Sequence, residues 1–319
     1  MLRPELMPYP TMEPATFHTS TTASRVPLVS VITATYNRAN YLPLTVQSVL
    51  AQTHKHFEYF IVDDGSTDAT AEVLAPYLAD PRVHYMTVPH RGQSVARNVG
   101  LHASKGEFVC FLDSDDLWEP DKLERELDTF CDHPEADIVY GEVRFIDSQG
   151  RDLHQRNLPW MQRRSGYITE YLLDENFIPF VGSMIRRRCF EKLGGLDETL
   201  SQSDDYELWL RFSTRFRFLP HPGVVSSYRV MHDQISTNKD ARFRAIHAIL
   251  TRFLNQHPNI VPNSVKRVTW CRFYVRRGRY RALLGLRMQA GRDYLIAMLH
   301  DPLNIRPWRA LLRLVILWQ

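Results

Sequence analysis

Clusters of acidic residues are the part of this sequence best suited to chemistry. The segment Asp63–Asp68 follows an apolar run and contains two adjacent carboxylates and a glycine. One aspartate of this pair could accept hydrogen bonds from a nucleobase while the other supports it. The same pattern is also typical of a strand-to-helix connection, in which Ser66, Thr67 or Asp68 caps the next helix.

A second acidic run, Asp113–Asp116, places three carboxylates within four residues and again follows an apolar segment. Carboxylates this close repel one another unless a cation or hydrogen-bond donors compensate, and hard oxygen ligands suit Mg²⁺ or Mn²⁺. We therefore expect a divalent metal cofactor, Mn²⁺ or Mg²⁺, at this run. The alternative is a solvated acidic turn that caps a helix starting near Pro120, although the hydrophobic segment before it disfavours an ordinary surface loop.

A third acidic pair, Asp204 and Asp205, enters a segment of helical periodicity in which Leu208, Leu210 and Phe212 are predicted to be partly buried. A carboxylate here could remove a proton from a substrate. Aspartate at a helix N-terminus is also simply a good cap. The pair gains significance only together with the other two acidic segments.

The secondary-structure elements that must position these acids are predicted to alternate between strands and helices. Short β-branched and aromatic runs alternate with longer stretches of helical pattern, which predicts βαβ units and a mostly parallel sheet. In such sheets ligands bind beyond the carboxyl ends of the strands, where the first two acidic segments are expected to lie. Strands are predicted over 29–36, 57–62, 83–88 and 107–112, and helices over 42–52, 69–78 and 93–103.

The amino-acid composition excludes several classes of protein. The chain has 319 residues, 4 Cys and a formal net charge of +3, which is ordinary for a globular protein and excludes collagen-like, disulfide-scaffold and wholly disordered classes. The cysteines are scattered, so neither a zinc site nor a disulfide framework is indicated. We find neither a signal-peptide pattern nor an apolar run long enough to span a bilayer. These features favour a cytoplasmic protein, either soluble or peripheral on the inner face of the membrane.

Taken together, the acidic segments and their surroundings resemble an inverting family 2 glycosyltransferase of the GT-A fold, an α/β fold with a Rossmann-like, mostly parallel sheet. The likeness covers roughly residues 27–236, and its parts occur in the family's order. They are Val29–Arg38, Asp63–Asp68, Gly92–Asn98, Phe111–Asp116 and Asp204–Asp205.

The resemblance implies a nucleotide-diphospho-sugar donor and a glycan or lipid-linked acceptor. It implies that Asp64 contacts the base, that Asp113 and Asp115 form the D-x-D pair near ribose and metal, and that Asp205 is the catalytic base. Asp116 competes with Asp115 for the metal, because the last acid of the run contacts the ion in some relatives. The other residues implied are Thr35, Tyr36, Asn37, Arg38, Arg97 and Ser114 at the nucleotide-sugar and His232 at the metal.

Other interpretations stay open on sequence alone. Arg38 and Arg97 could bind phosphate or base, or could pair with a nearby aspartate. A haloacid-dehalogenase-like phosphotransferase also carries a D-x-D after an apolar strand, but it has Thr or Val two residues beyond the second Asp, where this chain has Leu117. A non-catalytic module that binds a nucleotide or glycan is the remaining alternative.

The C-terminal quarter differs in charge from the rest. Residues 239–319 contain 16 Lys and Arg against 3 Asp and Glu, whereas the preceding 238 residues are acidic on balance. Helices are predicted over about 240–253 and 265–300. We therefore divide the chain into a flexible arm (1–26), a GT-A domain (27–238) and a basic helical extension (239–319). Aromatic residues are too thinly interleaved with the basic ones to indicate nucleic-acid binding.

The last predicted helix, Arg306–Trp318, has a basic stripe and an apolar side. Arg306, Arg309 and Arg313 fall at i, i+3 and i+7, and the other side carries Trp308 and several aliphatic residues. Such a helix is too short to span a bilayer but suits the surface of an anionic membrane. The alternative is that its apolar face packs on the catalytic domain.

Overall fold

The computed structural model describes residues 26–154, 163–231 and 238–316. Through these residues runs one eight-stranded sheet in the order β3-β2-β1-β4-β7-β6-β8-β5. The strands are β1 Val29–Thr35, β2 Phe57–Asp63, β3 Val83–Thr87, β4 Phe108–Phe111, β5 Leu117–Trp118, β6 Ile138–Ile146, β7 Ser183–Arg186 and β8 Phe218–Arg229.

Helices flank the sheet and continue beyond it. They are α1 Leu42–Leu50, α2 Thr70–Leu74, α3 Gln93–Ala103, α4 Lys122–Asp132, α5 Thr169–Asp174, α6 Arg188–Leu193, α7 Asp204–Ser213, α8 Lys239–Gln256, α9 Asn263–Leu283, α10 Arg287–His300 and α11 Ile305–Ile316. Short 3₁₀ turns follow α2 over Ala75–Ala79 and precede β7 over Phe180–Gly182.

The first four strands form the parallel half of the sheet, as predicted. Strand β1 pairs in parallel with β2 and β4, and β2 pairs in parallel with β3. Thr35 lies opposite Asp63, and Ile32 opposite Phe111, so the carboxyl ends of these strands meet at one edge. The other half is mixed, because β7 runs antiparallel to both β4 and β6 while β8 is parallel to β6.

Alternation along the strands divides the core into two clusters. Val31 and Ile61 belong to one cluster, whereas their neighbours Ile32 and Phe60 belong to the other. Successive side chains of a strand point to opposite faces of a sheet, so each cluster covers one face. The second cluster also contains buried residues of α7, α8 and α9. The first two helices of the predicted basic extension therefore share a core with the strands.

The long helical stretch predicted over 265–300 is interrupted. Helix α9 ends at Leu283, and α10 begins at Arg287. Gly285, between them, has a φ of +75°, which glycine adopts without the strain that a side chain would bring. The turn lets α10 fold back against α9 instead of extending the same rod.

Close packing of α3 on the sheet offers a test of this architecture. A Cβ at Gly100 would lie 2.7 Å from Cγ2 of Ile32 and 3.3 Å from Cγ2 of Val62. We expect Gly100→Ala to lower the free energy of unfolding by about 1–3 kcal/mol, the usual cost of overpacking a core. Urea denaturation of the purified chain measures the change.

Gly291, in α10, is the matched control, because a Cβ there would meet its nearest neighbour, Cδ2 of Leu314, at an ordinary 3.8 Å. Gly291→Ala is expected to stabilise by about 0.4–1 kcal/mol, since it reduces the entropy of the unfolded chain. Equal stability of the two variants would contradict the packing of α3 described above.

Candidate active site

A cleft of about 1350 Å³ opens at the edge where the carboxyl ends of the parallel strands meet. Asp116 is not among the residues that line it, and His232 falls outside the described residues. The structure brings the other predicted site residues together along its wall, and they are Thr35, Tyr36, Asn37, Arg38, Asp64, Arg97, Asp113, Ser114, Asp115 and Asp205.

Asp64 lies at one end of the cleft and is almost fully buried. Its two carboxylate oxygens accept hydrogen bonds from the backbone N–H groups of Arg91 and Gly92, each 2.8 Å long. Nδ1 of His90 lies 2.9 Å from the same carboxylate, and the ring of Tyr36 stacks on His90 with centroids 4.1 Å apart. A carboxylate beside two stacked rings is suited to a planar, polar heterocycle.

Asp63 and Asn37 support this end of the cleft from behind. The Asp63 carboxylate accepts hydrogen bonds from the Ser66 N–H at 2.7 Å and from the Tyr85 hydroxyl at 2.6 Å. Oδ1 of Asn37 accepts a hydrogen bond from the Thr67 N–H at 2.8 Å. These bonds tie the loop after β1 to the turn after β2, so the side chain of Asn37 positions the loop.

Arg97 links two acidic segments that are far apart in the sequence. Its guanidinium donates to Asp204 at 2.7 Å and to Asp113 at 2.5 Å, and it stacks over the ring of Phe180. Burial by itself would lower the pKa of Arg97, but the two carboxylates outweigh burial and raise it. The structure thus shows Arg97 paired with aspartates, and its contact with a nucleotide-sugar stays a prediction.

The acids that follow β4 have different environments. Asp113 and Asp115 line the cleft, and Nε of Arg38 lies 3.7 Å from Asp115. Asp116 is fully buried, and its Oδ1 accepts a hydrogen bond from the backbone N–H of Arg229 at 2.7 Å. Burial raises the pKa of Asp116 well above its ordinary value, and the charges of Asp115 and Asp113 raise it further.

The donor chemistry of this segment fits a hard divalent cation held in part by substrate. Within residues 26–154, 163–231 and 238–316, no three His, Cys, Asp or Glu side chains are grouped as a complete metal site. Asp113 and Asp115 nevertheless present carboxylates to the cleft. Mg²⁺ is commonly bound by one or two carboxylates together with substrate phosphates and water, so an incomplete protein ligand set suits it.

The two carboxylates of the third acidic pair differ in how many hydrogen bonds they accept. Asp204 accepts hydrogen bonds from Gln93 at 3.0 Å, from Ser94 at 2.9 Å and from Arg97. Asp205 is partly exposed to the cleft, and within the described residues it accepts one side-chain hydrogen bond, from Asn176 at 2.7 Å. Among the described residues Asp205 therefore accepts fewer side-chain hydrogen bonds than Asp204 and has more acceptor positions left for a proton.

The electrostatics of Asp205 favour proton acceptance. Burial raises the pKa of its carboxyl, and the neighbouring Asp204 charge adds to this effect. The hydrogen bond from Asn176 and the positive charge of Arg242 act in the opposite direction. A carboxylate whose pKa lies above its ordinary value is a stronger base than a fully solvated one.

Sequence reasoning missed several residues of this site. Gln93 and Ser94 lie in a segment that was recognised, but only Arg97 of that segment was assigned a role. Their spacing from Arg97 at i, i+1 and i+4 on a helix start was the signal that could have found them. His90 and Asn176 lie in loops and carry no comparable signal, because only the folded chain brings them to Asp64 and Asp205.

Comparison with known proteins agrees with this geometry. A family model described as "Glycosyl transferase family 2" matches residues 30–194. The chain is 50% identical over 217 residues to the putative teichuronic acid biosynthesis glycosyltransferase TuaG of Bacillus subtilis, covering 67% of this chain and 83% of that protein. It is 30% identical over 262 residues to a chondroitin synthase of Escherichia coli, covering 79% of this chain but only 37% of the length of that relative.

Solved structures with the same architecture include S. aureus TarS 1–349 in complex with UDP-GlcNAc. The TM-score is 0.65 at 18% identity, over 90% of this chain and 88% of that one. A mannosyltransferase from Pyrobaculum calidifontis in complex with GDP-Man and Mn²⁺ gives a TM-score of 0.59 at 20% identity, over 73% of this chain and 65% of that one. These similarities confirm the predicted α/β fold of the GT-A type. With the family model covering more than half of its length, the chain belongs to glycosyl transferase family 2.

Proposed function

We propose that this glycosyltransferase moves a sugar from a nucleoside-diphospho-sugar to an acceptor hydroxyl with inversion at the anomeric carbon. The observation that carries the proposal is the open carboxylate of Asp205, which shares one cleft with the Asp64 pocket and with the D-x-D acids. A base, a nucleotide pocket and a diphosphate site in one cavity are the parts that a single displacement requires.

The donor occupies the end of the cleft nearest the parallel strands. Asp64 and the stacked pair Tyr36–His90 hold the base. The hydroxyl of Thr35 is buried at the end of β1, lines the cleft and has no hydrogen-bond partner among the described residues, so it is available to the nucleoside. Arg38, beside Asp115, supplies positive charge toward the diphosphate.

The transfer step needs one base. The acceptor oxygen attacks the anomeric carbon, its proton passes to a carboxylate oxygen of Asp205, and the bond from the anomeric carbon to the diphosphate oxygen breaks. The nucleoside diphosphate leaves with the electron pair of that bond. Asn176 holds one oxygen of Asp205, which fixes the direction in which the other oxygen is presented.

Asp113 and Asp115 would hold a divalent metal, Mn²⁺ or Mg²⁺, and Asp115 is the better-placed partner than Asp116 because it lines the cleft. When bound, such an ion stabilises the negative charge that develops on the leaving diphosphate. Arg97 already engages Asp113, so its contribution is to orient this carboxylate. His232 remains a predicted further ligand.

The names of the relatives indicate the class of product. Chondroitin synthase and the teichuronic acid glycosyltransferase act, by those names, on glycan polymers. We therefore propose a glycan or lipid-linked acceptor and a role in polysaccharide biosynthesis.

The surface of helix α11 indicates where the protein encounters that acceptor. Leu311 and Leu314 face Gly291 of α10, so this side of the helix packs on the protein. Trp308 and Leu312, by contrast, are 54% and 60% exposed. Packing of α11 on the protein, the alternative to membrane binding, thus covers only part of the apolar surface of this helix.

A basic stripe lies next to this exposed apolar surface of α11. Arg306, Arg309 and Arg313 have no ion pair among the described residues. Apolar side chains flanked by arginines are complementary to an anionic bilayer surface. No helix of the described residues is long and apolar enough to cross a membrane. We propose peripheral binding at the inner face of an anionic membrane.

Replacing the base should separate binding from chemistry. Asp205→Asn keeps the size of the side chain but cannot take a proton, so transfer should fall by about 10²–10⁴-fold while donor affinity stays nearly constant. Calorimetry with UDP and GDP measures nucleotide binding, and product release with a panel of nucleotide sugars measures transfer and hydrolysis.

Asp128→Asn makes the same chemical change on the exposed side of α4 and should leave transfer at the wild-type level. If Asp204→Asn folded normally and reduced transfer more than Asp205→Asn, the roles within the pair would be exchanged. Nucleotide binding without hydrolysis or transfer of any donor would favour a non-catalytic binding module.

The metal proposal has a separate test. Asp115→Asn should weaken nucleoside-diphosphate binding in the presence of Mn²⁺ by about tenfold or more, because the diphosphate loses its counter-charge. Without metal, the variant and the wild type should bind UDP with similar affinity. Full wild-type activity in excess EDTA, or in the Asp115→Asn protein, would show that this carboxylate holds no functional ion.

The membrane proposal predicts a surface effect that leaves the fold intact. Replacing Trp308, Leu312 and Ile316 together by Gln should abolish co-sedimentation with vesicles containing phosphatidylglycerol, since these side chains are exposed and contribute apolar area to the bilayer. Leu78→Gln, an exposed apolar residue of the catalytic region, is the control. Co-sedimentation of the triple variant at the wild-type level would contradict membrane binding through α11.

A further inference from the structure

The cleft continues past Asp205 to a wall built by the basic C-terminal helices. Lys239 and Arg242 of α8 line this wall, together with Phe243 and with Phe273 and Arg276 of α9. Lys239 and Arg242 are three residues apart, so they lie on one face of α8. The nucleotide end described above uses no residue of these helices.

The cations of this wall differ in what they already bind. Arg276 donates to Asp174 at 2.8 Å and lies 3.6 Å from Glu175, so its charge is neutralised within the protein. Arg242 is exposed and has no ion pair or side-chain hydrogen bond among the described residues. In the part of the chain that the structure describes, the partner of Lys239 is the ring of Tyr280, whose centroid lies 5.8 Å from Nζ.

Arg242 and Asp205 line the same cleft, and the charge of Arg242 contributes to the electrostatic environment of this carboxylate. This positive charge acts to lower the pKa of Asp205, against the burial that raises it. Lys239 and Arg242, which have no ion pair among the described residues, line the part of the cleft formed by α8, whereas Arg38 and Arg97 are both placed against aspartates.

We propose that Lys239 and Arg242 form an acceptor subsite for an anionic group, a carboxylate or a phosphate, carried by the glycan next to the attacking hydroxyl. The inference rests on the proposed function of the same cleft and names the charge of its acceptor. A guanidinium binds either anion in bidentate fashion, and an ammonium adds a point charge. Phe243 offers an apolar surface beside them for a sugar ring.

Equilibrium binding tests the subsite with three probes in the presence of UDP and Mn²⁺. They are an oligosaccharide containing hexuronate residues, the same oligosaccharide after reduction of its carboxyl groups, and a glycerol-phosphate oligomer. One of the two anionic probes should bind at least about tenfold more tightly than the neutral one, because hydrogen bonds to charged groups are stronger than those to neutral groups. Preference for hexuronate or for glycerol phosphate identifies the source of the anion.

Variants on one helix assign the effect to this face. Arg242→Gln and Lys239→Gln should each reduce the ratio of anionic to neutral affinity by about tenfold or more. Arg244→Gln removes an exposed arginine two residues away that does not line the cleft, and it should leave the ratio unchanged. Rising salt should weaken the anionic probe and leave the neutral one nearly unaffected.

The possible outcomes distinguish a failure of the acceptor subsite from a failure of the proposed function. Equal binding of charged and neutral probes by a protein that binds and hydrolyses a nucleotide sugar would overturn the subsite and leave the proposed function in place. An equal loss in Arg242→Gln and Arg244→Gln would overturn it as well, since the effect would then be one of general charge. A protein that binds no nucleotide and hydrolyses no donor would contradict the proposed function itself.

Discussion

The buried guanidinium of Arg97 is the interaction on which the geometry of the cleft depends. It lies between Asp113, after β4, and Asp204, at the start of α7, and bonds to both. A buried charge is costly unless it is paired, so neither carboxylate can move far without leaving a charge uncompensated. The segment after β4 and the start of α7 are thereby held together across the cleft.

The carboxylates of the site differ in how many hydrogen bonds they accept from the protein. Those that accept several hold neighbouring segments in place, whereas others face the cleft. Asp63 and Asp204 have their oxygens occupied by donors from neighbouring segments, and they fix loops and helix starts. Asp205 and Asp115 line the cleft, and Asp205 accepts one side-chain hydrogen bond among the described residues. Chemically identical residues at adjacent positions thus have different environments because of the donors that the fold brings to them.

The C-terminal helices do more than extend the chain. Helices α8 and α9 share the core of the sheet and form a wall of the cleft, on which Lys239 and Arg242 have no ion pair among the described residues. Helix α11 lies at the far end of this basic region with apolar side chains exposed. Two of these helices therefore complete the wall of the cleft, and another exposes apolar side chains.

The sequence by itself determined the local elements, because hydrophobic periodicity is a property of neighbouring residues. The parallel strands and α3 lie where the pattern predicted them, and acids after apolar strands marked the edge of the sheet where the cleft opens. Tertiary structure alone decided which hydrogen-bond and ion-pair partners each acid has. The partners that saturate Asp204 lie about a hundred residues away, Asn176 reaches Asp205 from a loop, and the mixed half of the sheet follows from long-range pairing. Hydrogen bonds and ion pairs between distant segments leave no periodic trace in a sequence, so these assignments could be made only from the folded chain.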